Sequence, residues 1–200
     1  MTEIKSKILE NKEEKKRKLL NSAFCLFTDK GVKNTSIQDI VDKAGVAKGT
    51  FYLYFKDKDD LQEYLITSKS EELLLDAIKY VDKKNIVDFS DRLINVIDYV
   101  IDEFIKDKLL LRFISKNLSL GMFGDKLSSI FGRSTIGALE LFEKGIKENN
   151  LNISNPDITL FMIIELTSSA VFTSITLNKP LPIEELKPFL FKKIRAMLLD

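Results

Sequence analysis

The 200-residue sequence contains no histidine and a single cysteine, Cys25. Those two scarcities exclude much enzyme chemistry at once. Ser-His-Asp triads, Cys/His zinc sites and the Glu-x-x-His motif of di-iron bundles all need residues the chain does not have, and one cysteine closes no internal disulfide. Charge of one sign is scarce too: 31 Lys+Arg against 30 Asp+Glu leave a formal net charge of +1. No global field draws the protein to nucleic acid or membrane, so any basic surface has to be local. The start, MTEIKSKILENKEEKKRK, lacks the apolar core of a signal peptide, which gives a cytoplasmic expectation. Alternating strand runs and internal repeats are missing as well.

What is present is helical patterning over a composition with 44% hydrophobic residues, enough for a sizeable core in one domain or two small ones. The expected fold is all-α. From Lys12 to Lys30, Leu19, Leu20, Ala23, Phe24, Leu26 and Phe27 recur at three- and four-residue steps, and Gly31 stands where a helix C-cap would. The charge run KEEKKRK at the front of this helix reads either as a solvated face or as a phosphate contact. Cys25 is expected to be a packed thiol.

The stretch from Thr35 to Lys58, TSIQDIVDKAGVAKGTFYLYFKDK, organises the rest. Thr35 is placed to cap a second helix, with Gln38 completing a Thr-x-x-Gln box and Ile37, Ile40 and Val41 on its buried side. Ala44-Gly45-Val46 has the length and composition of a helix-turn-helix corner before a third helix from about Ala47 to Phe55. On a 100° wheel Phe51 and Phe55 share the core face, while Gly49, Thr50 and Leu53 point away, flanked by Tyr52 and Tyr54. Lys48 sits in the first turn, where it works against the helix dipole, and so suggests an external anion such as DNA phosphate. For the tyrosines a half-buried core position is equally open, Gly49 could simply start a helix, and Lys58 could be a surface lysine in the run DKDD.

Taken together, Thr35, Ile40, Ala44-Gly45-Val46, Lys48-Gly49-Thr50, Tyr52-x-Tyr54-Phe55, Lys58 and Leu61 resemble the N-terminal DNA-binding domain of the tetracycline-repressor (TetR) family of bacterial transcription regulators. Leu19 to Gly31 fits that family's first helix. Ala47 departs from it, since many members carry a serine or threonine cap there, a change worth about 1 kcal/mol. The resemblance implies a three-helix DNA-binding domain over residues 1–58, with its motif at about 35–55, and an effector-binding and dimerisation domain over 59–200. It implies that Thr35 and Ser36 touch phosphate and that Gln38 reaches base edges. It also implies that Lys48, Gly49, Thr50, Leu53 and Tyr54 lie at the major groove, with Tyr52 and Lys58 holding phosphates. The chemistry agrees, because Gln pairs bidentately with adenine and Leu53 or Thr50 packs on a thymine methyl.

Beyond Lys58 a helix from Asp60 to about Val81 joins the two parts, its acidic start complementing the helix N-terminus. Further helices are expected from Phe89 to about Lys106, from about Lys108 to Ser119, and from about Asp125 to Asn149. Aromatic residues here ordinarily pack in a core; by resemblance the region also holds a small-molecule effector, with Phe104, Phe113 and Met122 as candidate walls. The run from Ile158 to Leu177 is apolar almost all round. A membrane span is the alternative, but Glu165 and a cluster of Ser and Thr favour a buried helix with no membrane role. Glu165, a lone carboxylate there, would bind an effector or be satisfied across a subunit interface. The last helix, Ile183 to Leu198, has an apolar arc too wide for one partner, which suggests a two-fold homodimer.

The expectation is a dimeric, non-enzymatic repressor that needs no cofactor or metal, binds a double-stranded palindromic operator, and is released by a small-molecule effector. Two competitors are a helical enzyme and a helical protein-interaction adaptor. The acid pairs Glu71-Glu72 and Asp59-Asp60 do not help the first, since adjacent helical residues point about 100° apart.

Overall fold

The computed structural model describes residues 2–114 and 137–199, with side-chain environments from residue 10 onward. Among the described residues there are nine helices and no strand. They fall into two compact units, Met1–Leu65 and Ile66–Asp200. The parting lies within a helix, later in the chain than the expected 58/59 limit.

In the first unit, α1 spans Thr2–Lys30, α2 Ile37–Ala44 and α3 Lys48–Tyr52. The first helix thus begins ten residues before the expected Lys12. Leu19, Ala23, Phe27, Ile40, Val41, Phe51, Phe55 and Leu61 are nearly inaccessible and form the core, with α2 packed on both α1 and α3. Cys25 faces solvent, on the side of α1 away from that core, and is not the packed thiol expected.

Helix α4, Lys58–Asp82, runs out of the first unit into the second. Its start is fixed by two aspartates: Asp57 accepts from the Asp60 N–H at 2.8 Å, and Asp60 accepts from the Lys56 N–H at 2.9 Å. The first satisfies a donor that a helix N-terminus otherwise leaves open, and the second ties the preceding turn back onto the helix.

The second unit adds α5 (Phe89–Lys106), α6 (Lys108–Ile114), α7 (Ala138–Glu148), α8 (Pro156–Leu177) and α9 (Ile183–Met197). The expected corner at Leu120–Gly124 and the first half of the expected 125–149 helix lie outside the described residues. Helix α8 packs against α5, α7 and α9. It is the one helix among the described residues long and apolar enough to cross a membrane, yet it is two-sided. Leu160, Ile163, Ile164, Thr167, Ser168 and Val171 are buried, while Ile158, Met162, Leu166 and Leu177 are exposed. The expectation of burial all round is therefore corrected: apolar residues occupy both faces, but only one meets the protein's own core.

Helix α9 is held to α5 by charge. Lys187, whose side chain is 11% exposed, places Nζ 2.9 Å from Asp98 and 2.8 Å from Asp102, and Arg195 pairs with Asp91 at 2.6 Å. Burial disfavours the Lys187 ammonium, but hydrogen bonds to Asp102 and Asp98 outweigh it and raise the pKa above the ordinary lysine value. Replacing Lys187 by Met should leave the two carboxylates facing each other without a cation. Urea unfolding should show a loss of about 2 kcal/mol, less than the ~3–5 kcal/mol of a fully buried pair because both acids are half exposed.

Candidate nucleic-acid interface and effector cavity

Helix α2 is capped by Ser36, not by Thr35. The Ser36 hydroxyl accepts from the Asp39 N–H at 3.1 Å, and Asp39 in return accepts from the Ser36 N–H at 2.8 Å, so the box is Ser-x-x-Asp and Gln38 plays no part in it. Thr35 is 1% exposed and its hydroxyl donates to the Gly31 carbonyl at 2.8 Å. A side chain turned inward and already bonded does not reach phosphate, which corrects the role expected for Thr35. The shift of one residue has a physical cause: Thr35 and Ser36 both suit a cap, and the chain uses the threonine to close the α1–α2 loop.

Asp39 also pairs with Lys30 at 3.0 Å. Bonds from the Ser36 backbone, the Lys30 ammonium and the Ser36 hydroxyl hold its pKa down at about 2. Gly45 ends α2 in the left-handed conformation, φ 66°, and the Val46 N–H returns to the Val41 carbonyl at 3.1 Å. That is a Schellman ending, which needs a residue at ease with positive φ.

Helix α3 is a turn and a half and stops at Tyr52, well short of the expected Phe55. Ala47 provides no side-chain cap. Phe51 and Phe55 are 0% and 2% exposed, their rings 5.8 Å apart, and Phe55 meets Tyr64 edge-on at 5.6 Å. With these anchors inward, Tyr52 and Leu53 stand 54% and 77% exposed, beside exposed Lys48 and Gly49 and half-buried Thr50. An added Cβ at Gly49 would meet nothing within 4 Å, so no contact inside the chain requires glycine there. Tyr54 is turned toward α1, where its hydroxyl donates to the Lys12 carbonyl at 2.9 Å. Gln38 is exposed, one amide N–H donating to Asp42 at 2.8 Å, which leaves its carbonyl oxygen to face outward contacts.

Lys58 differs most from its expected part. Its ammonium donates to the Val32 carbonyl at 2.7 Å and the Thr35 carbonyl at 2.8 Å. Two of its three N–H groups thus hold the α1–α2 loop against the first residue of α4. The residues brought together on the outer surface are therefore Ser36, Gln38, Lys48, Gly49, Tyr52 and Leu53, with Thr50 at its edge, while Thr35, Tyr54 and Lys58 fix the scaffold behind them.

The second unit contains a cavity of about 500 Å³. Its wall is made by Leu74 and Ile78 of α4, Val96 and Ile97 of α5, Phe142 of α7 and Ile163 of α8, among other residues, mostly aliphatic. Neither Phe104 nor Phe113, both buried, lines it; Glu165 is exposed on the far side of α8; Met122 lies outside the described residues. The aromatic residues singled out from sequence pack as core, as large rings ordinarily do. The signal that marked the true wall was the aliphatic stripe of α5, Leu93, Val96, Ile97 and Val100, following the polar break after α4.

Residues 19–65 match the family described as bacterial regulatory proteins, tetR family. The HTH-type transcriptional regulator YhgD of Bacillus subtilis is 25% identical over 162 residues, 80% of this chain and 83% of that protein. The HTH-type transcriptional repressor KstR2 of Mycolicibacterium smegmatis is 40% identical over 48 residues, 24% of this chain and 23% of that protein. A solved TetR-family regulator from Syntrophomonas wolfei superposes with a TM-score of 0.68 at 22% identity, covering 95% of this chain and 97% of that one, and so shares the fold.

Two outcomes follow for the first unit. Lys58→Met should lower its stability by about 1.5–3 kcal/mol, the usual worth of hydrogen bonds to a charged group, read by thermal or urea unfolding of the full chain. Because the Asp39 pKa is depressed when folded, its contribution is fully present above its unfolded value near 3.8 and is lost as pH falls from there through about 2. Comparing acid unfolding of the wild type and Asp39→Asn should show that part of the dependence missing in the variant.

Proposed function

We propose that this chain, similar to the TetR family of bacterial transcriptional regulators, is a member of it and represses by seating α2 and α3 of two protomers in successive major grooves of a palindromic operator. The observation that carries this reading is the division of labour around α3: Phe51 and Phe55 go inward, while Lys48, Gly49 and Leu53 face outward together with Tyr52, whose ring leans edge-on against Phe51 at 5.3 Å yet stays half exposed. Gln38 would read a base edge through its free carbonyl oxygen and remaining N–H, Leu53 a thymine methyl, and Lys48, Ser36 and Tyr52 would hold phosphates. KstR2, similar over a short stretch, is named a repressor. Work on the bacterial chromosome puts the protein in the cytoplasm.

A second copy of the chain would cover the outer face of α8. Ile158, Met162 and Leu166 are 52%, 46% and 39% exposed, and Phe189 of α9 is 63% exposed. Apolar residues in such a row form a self-complementary patch of the kind a two-fold dimer uses. Glu165 lies in this row and would find its partner across the interface. A two-fold axis would pair the recognition helices, and successive major grooves would require them about 34 Å apart, one turn of DNA.

Release would follow from a small molecule in the cavity. Helix α4 supplies Leu74 and Ile78 to the cavity wall and Lys58 to the loop behind the DNA-facing surface. A ligand that binds one position of α4 better than another shifts the protein toward it, and only to the extent of that difference.

The direct test is fluorescence anisotropy of purified protein on DNA from upstream of its own gene, across a salt series. With about six phosphate contacts, affinity should fall about 10³-fold between 50 and 200 mM salt, whereas an enzyme or adaptor would show no such binding. Leu166→Asp should shift the protein to monomer in analytical ultracentrifugation and weaken operator binding with it; a dimer that persists unchanged would move the interface elsewhere.

A further inference from the structure

The cavity of the second unit has one polar group without a task. Thr167, 8% exposed, lines the cavity, and its hydroxyl has no hydrogen-bond partner. Its neighbours on α8 do: Ser168 donates to the Glu165 carbonyl at 3.3 Å, Thr173 to the Ser169 carbonyl at 2.9 Å, and Ser174 to the Leu181 carbonyl at 2.7 Å. A helical threonine ordinarily finds a carbonyl one turn back, and leaving a buried hydroxyl unpaired costs free energy. The hydroxyl is therefore available to whatever fills the cavity.

The other groups on the wall narrow the occupant further. Lys144 and Glu148 are mostly exposed and Arg92 partly so, and each already has a partner: Arg92 lies 2.7 Å from Asp82, and Lys144 lies 3.8 Å from Glu148. Among the described residues no lining side chain supplies a buried charge, so an ionised group held against them would be desolvated without a counter-ion. The two lining aromatics, Phe89 and Phe142, meet each other at 5.6 Å, and Phe89 is pressed on Gly145, where even an added Cβ would collide with the ring. They are engaged in holding α7 to α5, which leaves aliphatic surface for the ligand.

We propose that the cavity takes an uncharged, mainly aliphatic molecule carrying one hydrogen-bonding oxygen, of the alcohol or ester class, with that oxygen on Thr167 Oγ1. About 500 Å³ lies inside the roughly 300–1,000 Å³ usual for small-molecule sites. The inference rests on reading the cavity as the effector site, and adds to it the chemistry of the effector.

The test uses the full chain and isothermal titration with decanol, methyl decanoate, chlorodecane, decanoate and naphthol. Decanol and methyl decanoate should bind most tightly, with decanoate and naphthol weaker by about tenfold or more. Thr167→Val should weaken decanol by about tenfold, the loss of one neutral hydrogen bond, while leaving chlorodecane unchanged. The same variant without ligand should melt no lower than the wild type, since the hydroxyl it removes is unpaired. Val96→Trp, which fills the cavity, should abolish binding of every probe while retaining operator binding. Preference for naphthol or decanoate, or indifference of decanol to Thr167→Val, would overturn the proposed class. If decanol binds through Thr167 but leaves operator affinity unchanged, the class stands and the effector reading fails. If a molecule of another class releases the operator and Val96→Trp blocks it, the effector reading stands and the class fails.

Discussion

The Lys58 ammonium, held between the carbonyls of Val32 and Thr35, is the contact on which the first unit's geometry depends. It ties the first residue of α4 to the loop that sets where α2 begins. From that loop the Ser36–Asp39 box starts α2, Gly45 turns the chain, and Phe51 and Phe55 pin α3 from beneath. Each step is local and inexpensive, about 1 kcal/mol for a cap or a left-handed glycine. The order of steps still matters: without the loop held in place, the outward residues of α2 and α3 would have no common surface to share.

In the proposed repressor the same helix would be the route from ligand to DNA. Residues of α4 take part in two sets of contacts, Lys58 with the α1–α2 loop and Leu74 and Ile78 in the cavity wall. The proposed repressor needs no other transmitter, and the coupling is limited by how differently the cavity binds its ligand in the two placements.

Helix periodicity and turn chemistry in the sequence carried most of the fold. Gly31 and Gly45 marked helix ends, the Phe51/Phe55 pair announced its buried face, and α5 was bounded within the chain at Phe89 and Lys106 as expected. Side-chain direction was less legible. Two adjacent hydroxyl residues, Thr35 and Ser36, are equally good caps in sequence, and only the fold shows which one the loop consumes. The phosphate role of Lys58 is implied by the family resemblance alone, and its partners in the fold, two backbone carbonyls, leave no trace in composition. The cavity wall was illegible for a similar reason: aromatic rings attract attention, while an aliphatic wall looks like any core until the space inside it is seen. In α8 the Glu165 and Ser/Thr cluster argue against a membrane span, but they do not separate a helix buried all round from one with a core face and an exposed apolar face, as the fold has.

In the proposed repressor two protomers present α2 and α3 to one palindromic operator. Hydroxyl-radical footprinting of the protein on DNA upstream of its own gene addresses it most directly. The account predicts two symmetric protected patches centred about 34 Å apart, one helical turn, lost together when Leu53 and Lys48 are replaced by Ala. A single unsymmetric patch, or protection that those replacements leave intact, would contradict it.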